Sequence, residues 1–319
     1  MQKKVYLRTI LVTGAAGQVG SCMVDKLLQN PDNFVVAADN MLTGSKENLP
    51  KHSPENYKFI ACDVNDYTQI SALMTTYVFD YVFHYAAVVG VQRTLDNPLW
   101  VLNDIKGIEH ILKLSVSTGV KRIFYSSSSE VYGEPFEHPQ NEETTPLNSR
   151  LPYAIVKNVG EAYIRSYEKQ FGLEYTIFRF FNTYGPKQSK DFVMKKFILA
   201  ALKGEDITVY GDGNQSRSMC YIDDNIEATT NCLYNGLFVN ETINIGNNNE
   251  ITLLELANKV ISVTGSTSKI VHLPALKEGD MLRRCPDITN MNKALQHEMT
   301  TIEDGIRLIL SEIKMNIEI

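Results

Sequence analysis

Cysteine and histidine are scarce in this 319-residue sequence, and both are scattered along it. The five cysteines form no Cys-x-x-Cys pair, so their spacing supports neither a disulfide framework nor a zinc site. The six histidines form no cluster with aspartate, which leaves a metal-dependent hydrolase without a set of ligands. We therefore expect no metal site. We also expect the cysteines to be reduced and to act as small apolar residues in a cytoplasmic protein; they are Cys22, Cys62, Cys220, Cys232 and Cys285.

Long apolar runs and a surplus of basic residues are also missing. The richest apolar stretch, Tyr81 to Val91, contains His84 and Gly90 and is shorter than the roughly 18–20 apolar residues that a membrane span needs. The first residues, MQKKVYLRT, lack the apolar region and cleavage site of a secretion signal. Lys plus Arg number 31 against 37 Asp plus Glu, whereas a domain that binds duplex nucleic acid usually carries a basic excess. These absences predict a cytoplasmic protein without a membrane or nucleic-acid partner.

The sequence does contain a regular alternation of strand and helix patterns. Its 44% hydrophobic and 21% charged residues are ordinary for a globular protein. Near-continuous apolar runs are typical of parallel strands buried on both faces, and the segments between them have apolar residues at helical spacing. This alternation predicts an α/β protein with a doubly wound parallel sheet of the Rossmann type. The predicted strands are Thr9–Thr13, Phe34–Ala38, Tyr57–Ala61, Tyr81–His84, Arg122–Ser126 and Glu174–Phe180, and the predicted helices are Val19–Gln29, Leu99–Ser117 and Tyr153–Gln170.

The alternation changes after residue 178, where loops rich in Gly, Asn, Asp and Ser separate shorter elements. A chain of this length is also long for one compact core. We therefore expect a nucleotide-binding domain over residues 1–178 and a smaller α/β lobe over residues 179–319, with some later segments returning to the first domain.

A glycine-rich turn joins the first predicted strand to the first helix. Its first two glycines permit a tight turn and a close approach of the backbone to a diphosphate, and the third lets the helix pack on the strand. The helix N-terminus presents free N–H groups to phosphate oxygens. The predicted contacts of this turn with a dinucleotide are Gly14, Gly17, Gln18, Val19 and Gly20.

An acidic residue, Asp39, ends the second predicted strand. Its carboxylate can accept hydrogen bonds from both ribose hydroxyls of an adenosine and would repel a 2′-phosphate. Taken alone, an Asp-Asn pair after a strand is an ordinary turn. In combination with the strand, the glycine-rich turn and the helix before it, Asp39 favours a dinucleotide site and favours NAD over NADP.

Tyr153 and Lys157 stand four residues apart in a helical pattern, which places them on one face of the helix. A tyrosine ordinarily has a pKa of about 10, too high for a base at neutral pH. A nearby lysine charge stabilises the phenolate, which could then remove a hydroxyl proton while hydride leaves the same carbon for NAD+. The serine run Ser126–Ser129 supplies a further hydroxyl at the end of strand five, the edge where doubly wound sheets bind ligands. Taken alone, the first motif could be an exposed helix pair and the second a plain loop.

In combination, these motifs resemble the extended short-chain dehydrogenase/reductase superfamily and, within it, the NAD-dependent nucleotide-sugar epimerases, dehydratases and decarboxylases. The resemblance extends over nearly the whole chain and implies an NAD cofactor. The catalytic residues that it implies are Ser128, Tyr153 and Lys157. The further cofactor contacts that it implies are Asp63 and Val64 near the adenine, Ala86 after strand four, and again Tyr153 and Lys157.

The resemblance also implies a nucleotide-diphosphate sugar as the substrate. The segment RFFNTYGP resembles a family motif whose Asn contacts the sugar nucleotide, and YGDGNQSR resembles a loop whose Arg contacts the diphosphate. Two arginines just after a Glu-Gly-Asp element would also suit a diphosphate, although a solvated surface turn is the alternative for either. The implied substrate contacts are Ser129, Glu130, Asn182, Arg217, Asp280, Arg283 and Arg284.

The reaction that follows oxidation of the sugar at C4 is indicated by residues beside the implied catalytic set. Ser129 and Glu130 stand where the resembling dehydratases carry an Asp-Glu pair, which disfavours dehydration. Arg284 stands two residues before Pro286, and the glucuronate decarboxylases carry an Arg and a Pro in the same arrangement. The residues just before Tyr153, in contrast, resemble those of the epimerases. We expect a C4 dehydrogenase or epimerase of a neutral nucleotide-linked hexose or heptose in surface-polysaccharide sugar biosynthesis. A nucleotide-linked glucuronate decarboxylase is the leading alternative, and a non-catalytic NAD-binding regulator is the alternative of another class.

Two further features bear on the site and on the assembly. Asp104 stands three residues before Gly107, where many of the resembling proteins have Asn, so hydrogen bonding behind the site is expected to differ. The helices over 99–117 and 153–170 resemble those that form a four-helix dimer interface in the family. We therefore expect a homodimer or homotetramer.

Overall fold

The computed structural model describes residues 6–52, 54–134, 136–274 and 283–317. The strands of these residues are β1 (Arg8–Thr13), β2 (Asn33–Asp39), β3 (Tyr57–Ala61), β4 (Tyr81–His84), β5 (Arg122–Ser128), β6 (Glu174–Phe180), β7 (Thr183–Tyr184), β8 (Ile207–Tyr210), β9 (Ser216–Ser218), β10 (Cys220–Tyr221), β11 (Glu241–Ile245), β12 (Glu250–Thr252) and β13 (Ile270–Leu273). Their α-helices are α1 (Gln18–Leu28), α2 (Tyr67–Thr76), α3 (Val91–Asp96), α4 (Pro98–Thr118), α5 (Pro152–Phe171), α6 (Val193–Lys203), α7 (Ile222–Tyr234), α8 (Leu253–Thr264), α9 (Thr289–Ala294) and α10 (Ile302–Ile317).

A seven-stranded sheet confirms the predicted fold class, with the strand order β11-β6-β5-β4-β1-β2-β3. The pairs of β1 with β2 and β4, of β2 with β3, and of β4 with β5 are parallel. The predicted apolar runs become buried strands, as in β1, where Ile10, Leu11 and Val12 are fully buried. Because β1 lies between β2 and β4, the strand order reverses there, and the carboxyl ends of the strands form the edge where such sheets bind ligands.

The chain packs into two compact units, each built from separate segments. The first unit consists of the described residues of Met1–Gly133, Leu147–Arg179 and Thr229–Ile243. The second consists of those of Glu134–Pro146, Phe180–Ala228 and Asn244–Ile319. The assignment of a nucleotide to residues 1–178 and of a sugar substrate to residues 179–319 stays a prediction, because compact packing does not reveal what each unit binds.

The late segment Thr229–Ile243 belongs to the first unit and makes polar contacts with the other segments of that unit. Arg122, at the start of β5, is buried, and its guanidinium donates to the carbonyl oxygen of Cys232 at 3.1 Å and to that of Leu237. The side-chain amide of Asn33 donates to the hydroxyl of Tyr234 at 2.8 Å. Residues 229–243 therefore satisfy polar groups that the sheet buries.

The position of α5 depends on a glycine that faces the sheet. Gly160 lies in the middle of α5, and a Cβ there would lie 2.2 Å from the hydroxyl oxygen of Tyr125 on β5. Helix and strand can therefore approach closely only because position 160 has no side chain. This close approach brings the first turns of α5, which carry Tyr153 and Lys157, onto the carboxyl end of β5.

The described helices, thiols and metal-ligating side chains bear on membrane spans, disulfides and metal sites. Among the residues that the structure describes, no helix has both the length and the apolarity that crossing a membrane requires. All five cysteines have free thiols, and within the described ranges no three His, Cys, Asp or Glu side chains are grouped so that they could share a metal ion.

Candidate active site

The glycine-rich turn between β1 and α1 is closely packed on its inner side. Gly14 has a φ of +67°, and a Cβ there would lie 2.7 Å from the amide nitrogen of Ala86. A Cβ on Gly20 would lie 2.1 Å from the carbonyl oxygen of Gly14. Gly17 is the N-cap of α1 and offers no side-chain cap, and Gln18 begins the helix. The first turn of such a helix suits phosphate oxygens, and the contacts of Gly14, Gly17, Gln18, Val19 and Gly20 with a dinucleotide stay predictions.

Asp39 links the end of β2 to this turn. One of its carboxylate oxygens accepts a hydrogen bond from the amide of Ala16 at 2.9 Å, and the other accepts one from the amide of Met41 at 2.7 Å. Each carboxylate oxygen can accept more than one hydrogen bond, so Asp39 can hold the turn and still bind a ribose hydroxyl. The turn, the helix N-terminus and the carboxylate together fit the diphosphate and adenosine ribose of a dinucleotide.

The segment after β4 is held against the glycine-rich turn by Thr13. The hydroxyl oxygen of Thr13 accepts hydrogen bonds from the amides of Tyr85 at 3.1 Å and Ala86 at 3.2 Å. With these two bonds accepted, the hydroxyl proton is free to point at Nδ1 of His84, which lies 2.8 Å away. Burial, together with the charge of Lys157, lowers the pKa of His84 to about 3. His84 is therefore neutral, carries its proton on Nε2 and holds the strand end in place.

Asp63 and Val64, the implied adenine contacts, follow β3. The carboxylate of Asp63 accepts a hydrogen bond from the amide of Asn65 at 2.9 Å. Val64 is buried, and its carbonyl oxygen lies 3.1 Å from Nδ1 of His110 on α4. Both residues lie near the carboxyl end of a sheet strand, and their contact with an adenine stays a prediction.

Ser128 lies at the end of β5, which is two residues longer than the sequence predicted. Its side-chain oxygen accepts a hydrogen bond from the amide of Glu130 at 3.2 Å and so caps a 3₁₀ turn, Ser129–Tyr132. Helix α5 packs against this turn. Tyr153 follows Pro152, the first residue of α5, and Nζ of Lys157 lies 5.7 Å from the centre of the Tyr153 ring. The tyrosine and the lysine therefore share one face of the helix, as their spacing predicts.

Lys157 is buried, and its contacts explain how a charged group is tolerated there. Its ammonium group donates to the carbonyl oxygen of Ser126 at 2.6 Å and lies 5.1 Å from the centre of the Tyr125 ring. Burial lowers the pKa of Lys157 to about 8, and the negative charge of Asp104 opposes that decrease. The lysine therefore loses its proton more readily than a solvent-exposed lysine does.

A buried ion pair behind these residues was not found by sequence reasoning. Arg179, the first residue of the RFFNTYGP segment, donates from Nε and from a terminal nitrogen to the two carboxylate oxygens of Glu161, at 2.9 and 2.8 Å. The hydroxyl of Ser127 donates to the same carboxylate at 2.6 Å, and Arg179 donates to the hydroxyl of Tyr132 at 2.9 Å. A signal was available, because Glu161 lies four residues after Lys157 and therefore on the same buried face of α5.

The implied substrate contacts of the second unit are placed as follows. The side-chain amide of Asn182 donates to the carbonyl oxygen of Ser218 at 3.3 Å. Arg217 lies on β9, which pairs with β12 in an antiparallel ladder. Arg283 is exposed and donates in bidentate fashion to Glu250 at 2.6 and 2.8 Å, whereas Arg284 is buried.

Asp280 lies outside the described residues, and all these substrate roles stay predictions, as do those of Ser129 and Glu130.

Comparison with known proteins adds a family and several relatives. A family model described as the NAD dependent epimerase/dehydratase family matches residues 10–246. The chain is 34% identical to UDP-glucuronic acid decarboxylase 3 of Arabidopsis thaliana over 321 aligned residues, which cover 97% of this chain and 90% of the relative. The UDP-glucose 4-epimerase of Thermotoga maritima, solved with UDP-glucose, is similar with a TM-score of 0.90 and 31% identity, covering 97% of this chain and 99% of that one. The UDP-glucuronic acid 4-epimerase of Bacillus cereus, solved with UDP-glucuronic acid and NAD, is similar with a TM-score of 0.88 and 29% identity, covering 97% and 99%.

Proposed function

The chain belongs to the NAD-dependent epimerase/dehydratase family, and from this premise we propose that it oxidises C4 of a nucleotide-linked hexose or heptose. In this proposal it works as a C4 epimerase or dehydrogenase in the synthesis of surface-polysaccharide sugars. The observation that carries the proposal is the pairing of Tyr153 with the buried cation of Lys157 on one face of α5. NAD+, when bound, supplies the hydride acceptor.

The proposed roles of the three residues follow from their chemistry. Tyr153 accepts the proton of the C4 hydroxyl as the C4 hydrogen leaves with its electron pair for NAD+, so the carbon becomes a ketone. Lys157, held by the carbonyl oxygen of Ser126, stabilises the phenolate and offers a donor to the nicotinamide ribose. The hydroxyl of Ser128 holds the C4 oxygen during proton transfer. Return of the hydride to the other face of the ketone would complete an epimerisation.

Cationic and polar side chains of the second unit support a nucleotide-diphosphate sugar as the substrate. Arg217, Arg283 and Arg284 supply charged donors in a protein whose formal net charge is −6, and a diphosphate requires such donors. The five free thiols agree with the reducing cytoplasm, which is the location that we propose.

Decarboxylation of a nucleotide-linked glucuronic acid is the second candidate. Arg284 is buried, and a buried guanidinium suits a substrate carboxylate. The 34% identity to a plant UDP-glucuronic acid decarboxylase favours the same reaction. Ser129 and Glu130 are compatible with it as well, whereas the residues just before Tyr153 favour epimerisation.

A panel of nucleotide sugars tests the proposal. The purified protein is loaded with NAD+ and incubated with UDP-glucose, UDP-N-acetylglucosamine, dTDP-glucose and UDP-glucuronic acid, while NADH absorbance and product NMR spectra are recorded. We expect either a C4 epimer without net NADH or a 4-keto sugar with one NADH per sugar. Release of carbon dioxide from UDP-glucuronic acid would instead establish the decarboxylase. Tight NAD binding without turnover of any sugar would support the non-catalytic regulator and refute the enzyme proposal.

We also propose a homodimer, or a homotetramer built from two such dimers, formed through α4 and α5. These helices pack side by side, and both present large apolar side chains to solvent. Leu102 and Val116 on α4 are 39% and 38% exposed and lie close to four turns apart, hence on one face. Such a face is typical of a surface that another subunit covers. The exposed apolar residues of the two helices are Leu99, Trp100, Leu102, Val116, Ile155 and Phe171.

A charge placed on this face is expected to separate the subunits. Val116→Glu should shift the mass measured by analytical ultracentrifugation at micromolar concentration from the dimer to the monomer, because burying a carboxylate without a partner is costly. The matched control is Val78→Glu, at a valine that is 67% exposed and lies outside both helices. A wild-type protein that sediments as a monomer would refute the proposed dimer.

A further inference from the structure

Asp104 on α4 uses both of its carboxylate oxygens as acceptors in the first unit. One oxygen accepts from the amide of Val88 at 2.8 Å, and the other accepts from the side-chain amide nitrogen of Asn65 at 3.3 Å. The orientation of the Asn65 amide is fixed independently, because its oxygen accepts from the backbone amide of Gly107 at 3.0 Å. Asp104 therefore faces two donors. The backbone amide of Val88 can only donate, and Asn65 cannot turn its oxygen toward Asp104 without losing the hydrogen bond from Gly107.

An asparagine at this position could not replace Asp104. A carboxamide has one acceptor oxygen and one donor nitrogen, so its NH₂ group would oppose either the amide of Val88 or the NH₂ group of Asn65. An unsatisfied, donor-against-donor contact at a half-buried site is costly. Many of the resembling proteins have Asn at this position. In this chain the two acceptor oxygens of Asp104 match the two donors around them, so Asn would not be an equivalent replacement.

The segment that Asp104 holds is the loop Tyr85–Gly90, which follows β4. Thr13 fastens the start of this loop through two backbone amides, and Asp104 fastens its middle through Val88. The loop lies against Gly14, since a Cβ on that glycine would lie 2.7 Å from the backbone at Tyr85 and at Ala86. Loss of the anchor at Val88 would therefore disturb the wall of the predicted dinucleotide site.

Asp104 also acts on Lys157 through its charge. Burial lowers the pKa of Lys157, and Asp104 is the acid that opposes this effect. The other titratable groups around the ammonium group are His84 on β4, Tyr125 on β5 and Tyr153 on α5, none of which carries a negative charge at neutral pH in its ordinary protonation state.

We propose that Asp104 is a positioning residue, which fixes the loop Tyr85–Gly90 for NAD. The link to turnover rests on the proposed function, whereas the effects on NAD binding and on the lysine do not. The carboxylate acts through Val88 and takes no proton from the sugar.

The first test compares NAD+ affinity, measured by calorimetry at pH 7.5, in three variants. Asp104→Asn should weaken NAD+ binding about tenfold, because one donor loses its acceptor. The double variant Asn65→Asp with Asp104→Asn restores an acceptor opposite every donor and should recover affinity to within about threefold of wild type. Asp32→Asn, an exposed residue next to the amino-terminal end of β2, removes the same charge and should bind as wild type does. A single variant with wild-type affinity, or a double variant no tighter than the single, would overturn the positioning role.

The second test follows Lys157 directly. Lysine labelled with ¹³C at Cε reports the protonation of each ammonium group by NMR, and the Lys157 signal is assigned by its absence in Lys157→Arg. We expect its titration midpoint at lower pH in Asp104→Asn than in wild type or in Asp32→Asn. An unchanged midpoint would show that the charge of Asp104 does not act on Lys157. Both tests are made without sugar, so they stand even if the nucleotide-sugar panel finds no turnover.

Discussion

Replacing Tyr153 with phenylalanine is expected to lower kcat about 100- to 10,000-fold for the nucleotide sugar that the panel identifies. The variant keeps the aromatic ring and the helix but lacks the oxygen that accepts the C4 proton. Lys157 keeps its bonds to Ser126, and the substitution changes no residue of the glycine-rich turn. NAD+ affinity should therefore stay within about threefold of wild type, since at most one hydrogen bond is lost. Single-turnover formation of NADH, followed by absorbance, separates this loss from slow product release.

The matched control for this experiment is Tyr163→Phe on the same helix. Tyr163 is half-buried against the core of the first unit, and it also loses only a hydroxyl. We expect its kcat to remain close to wild type. If Tyr153→Phe turned over the sugar as fast as the control, the base would be another residue, and the proposed mechanism would be wrong even though the family assignment stands.

Replacing Glu161 with glutamine is expected to lower the free energy of unfolding by about 3–5 kcal/mol, the usual cost of removing one partner of a buried ion pair. Arg179 would keep its charge in a buried position without the carboxylate that now accepts from two of its nitrogens. Chemical denaturation followed by circular dichroism measures the change. The matched control, Glu168→Gln on a more exposed part of α5, should change the free energy of unfolding by less than about 0.5 kcal/mol.

The pH dependence of stability provides a second signature of this pair. Burial alone would raise the pKa of Glu161, but its hydrogen bonds and the charge of Arg179 bring the pKa below its usual value. The carboxylate is thus more acidic in the folded than in the unfolded protein, so its stabilisation is present above the ordinary glutamate pKa and is lost as the pH falls through the lowered value. Glu161→Gln should remove that part of the acid dependence.

A double-mutant cycle distinguishes the ion pair from a simple packing defect. Glu161→Gln combined with Arg179→Met removes the stranded charge, so the double variant should be less destabilised than the sum of the two single variants, by about 2 kcal/mol. Strict additivity would show that the two side chains contribute independently, and the description of Glu161 and Arg179 as one unit would then be incorrect.

The extent to which the sequence predicts this structure depends on how local each feature is. Strands such as β3 and β4 were predicted with their observed ends, because an apolar run bounded by polar residues is a local pattern. The Tyr153–Lys157 face was predicted for the same reason, since four residues make about one helical turn. The end of β5 was placed two residues early, because serine has no strong preference for a strand.

Features that depend on tertiary pairing were not predictable in this way. The spacing of Glu161 from Lys157 indicates that Glu161 lies on the buried face of α5, but it does not identify Arg179 as the partner, because the two residues meet only through the packing of α5 against β6. Asp104 was recognised as unusual, yet its partners Val88 and Asn65 come from two other loops. Hydrogen-bond donors and acceptors have no periodicity along a chain, so their complementarity emerges only when the fold brings them together.

The return of residues 229–243 to the first unit has a consequence for protein synthesis. A chain leaves the ribosome from its N-terminus, so β5 is made long before the carbonyl groups that accept from Arg122, which lie 110 and 115 residues further on. Until then, a nascent chain has β6 as an open edge of its sheet and a guanidinium without these acceptors. Open strand edges are among the features that make incompletely folded proteins aggregate. The sheet that carries the predicted dinucleotide site is therefore incomplete during translation until β11, the last of its seven strands, has been made. A chaperone that covers the edge of β6 would be most useful in that interval.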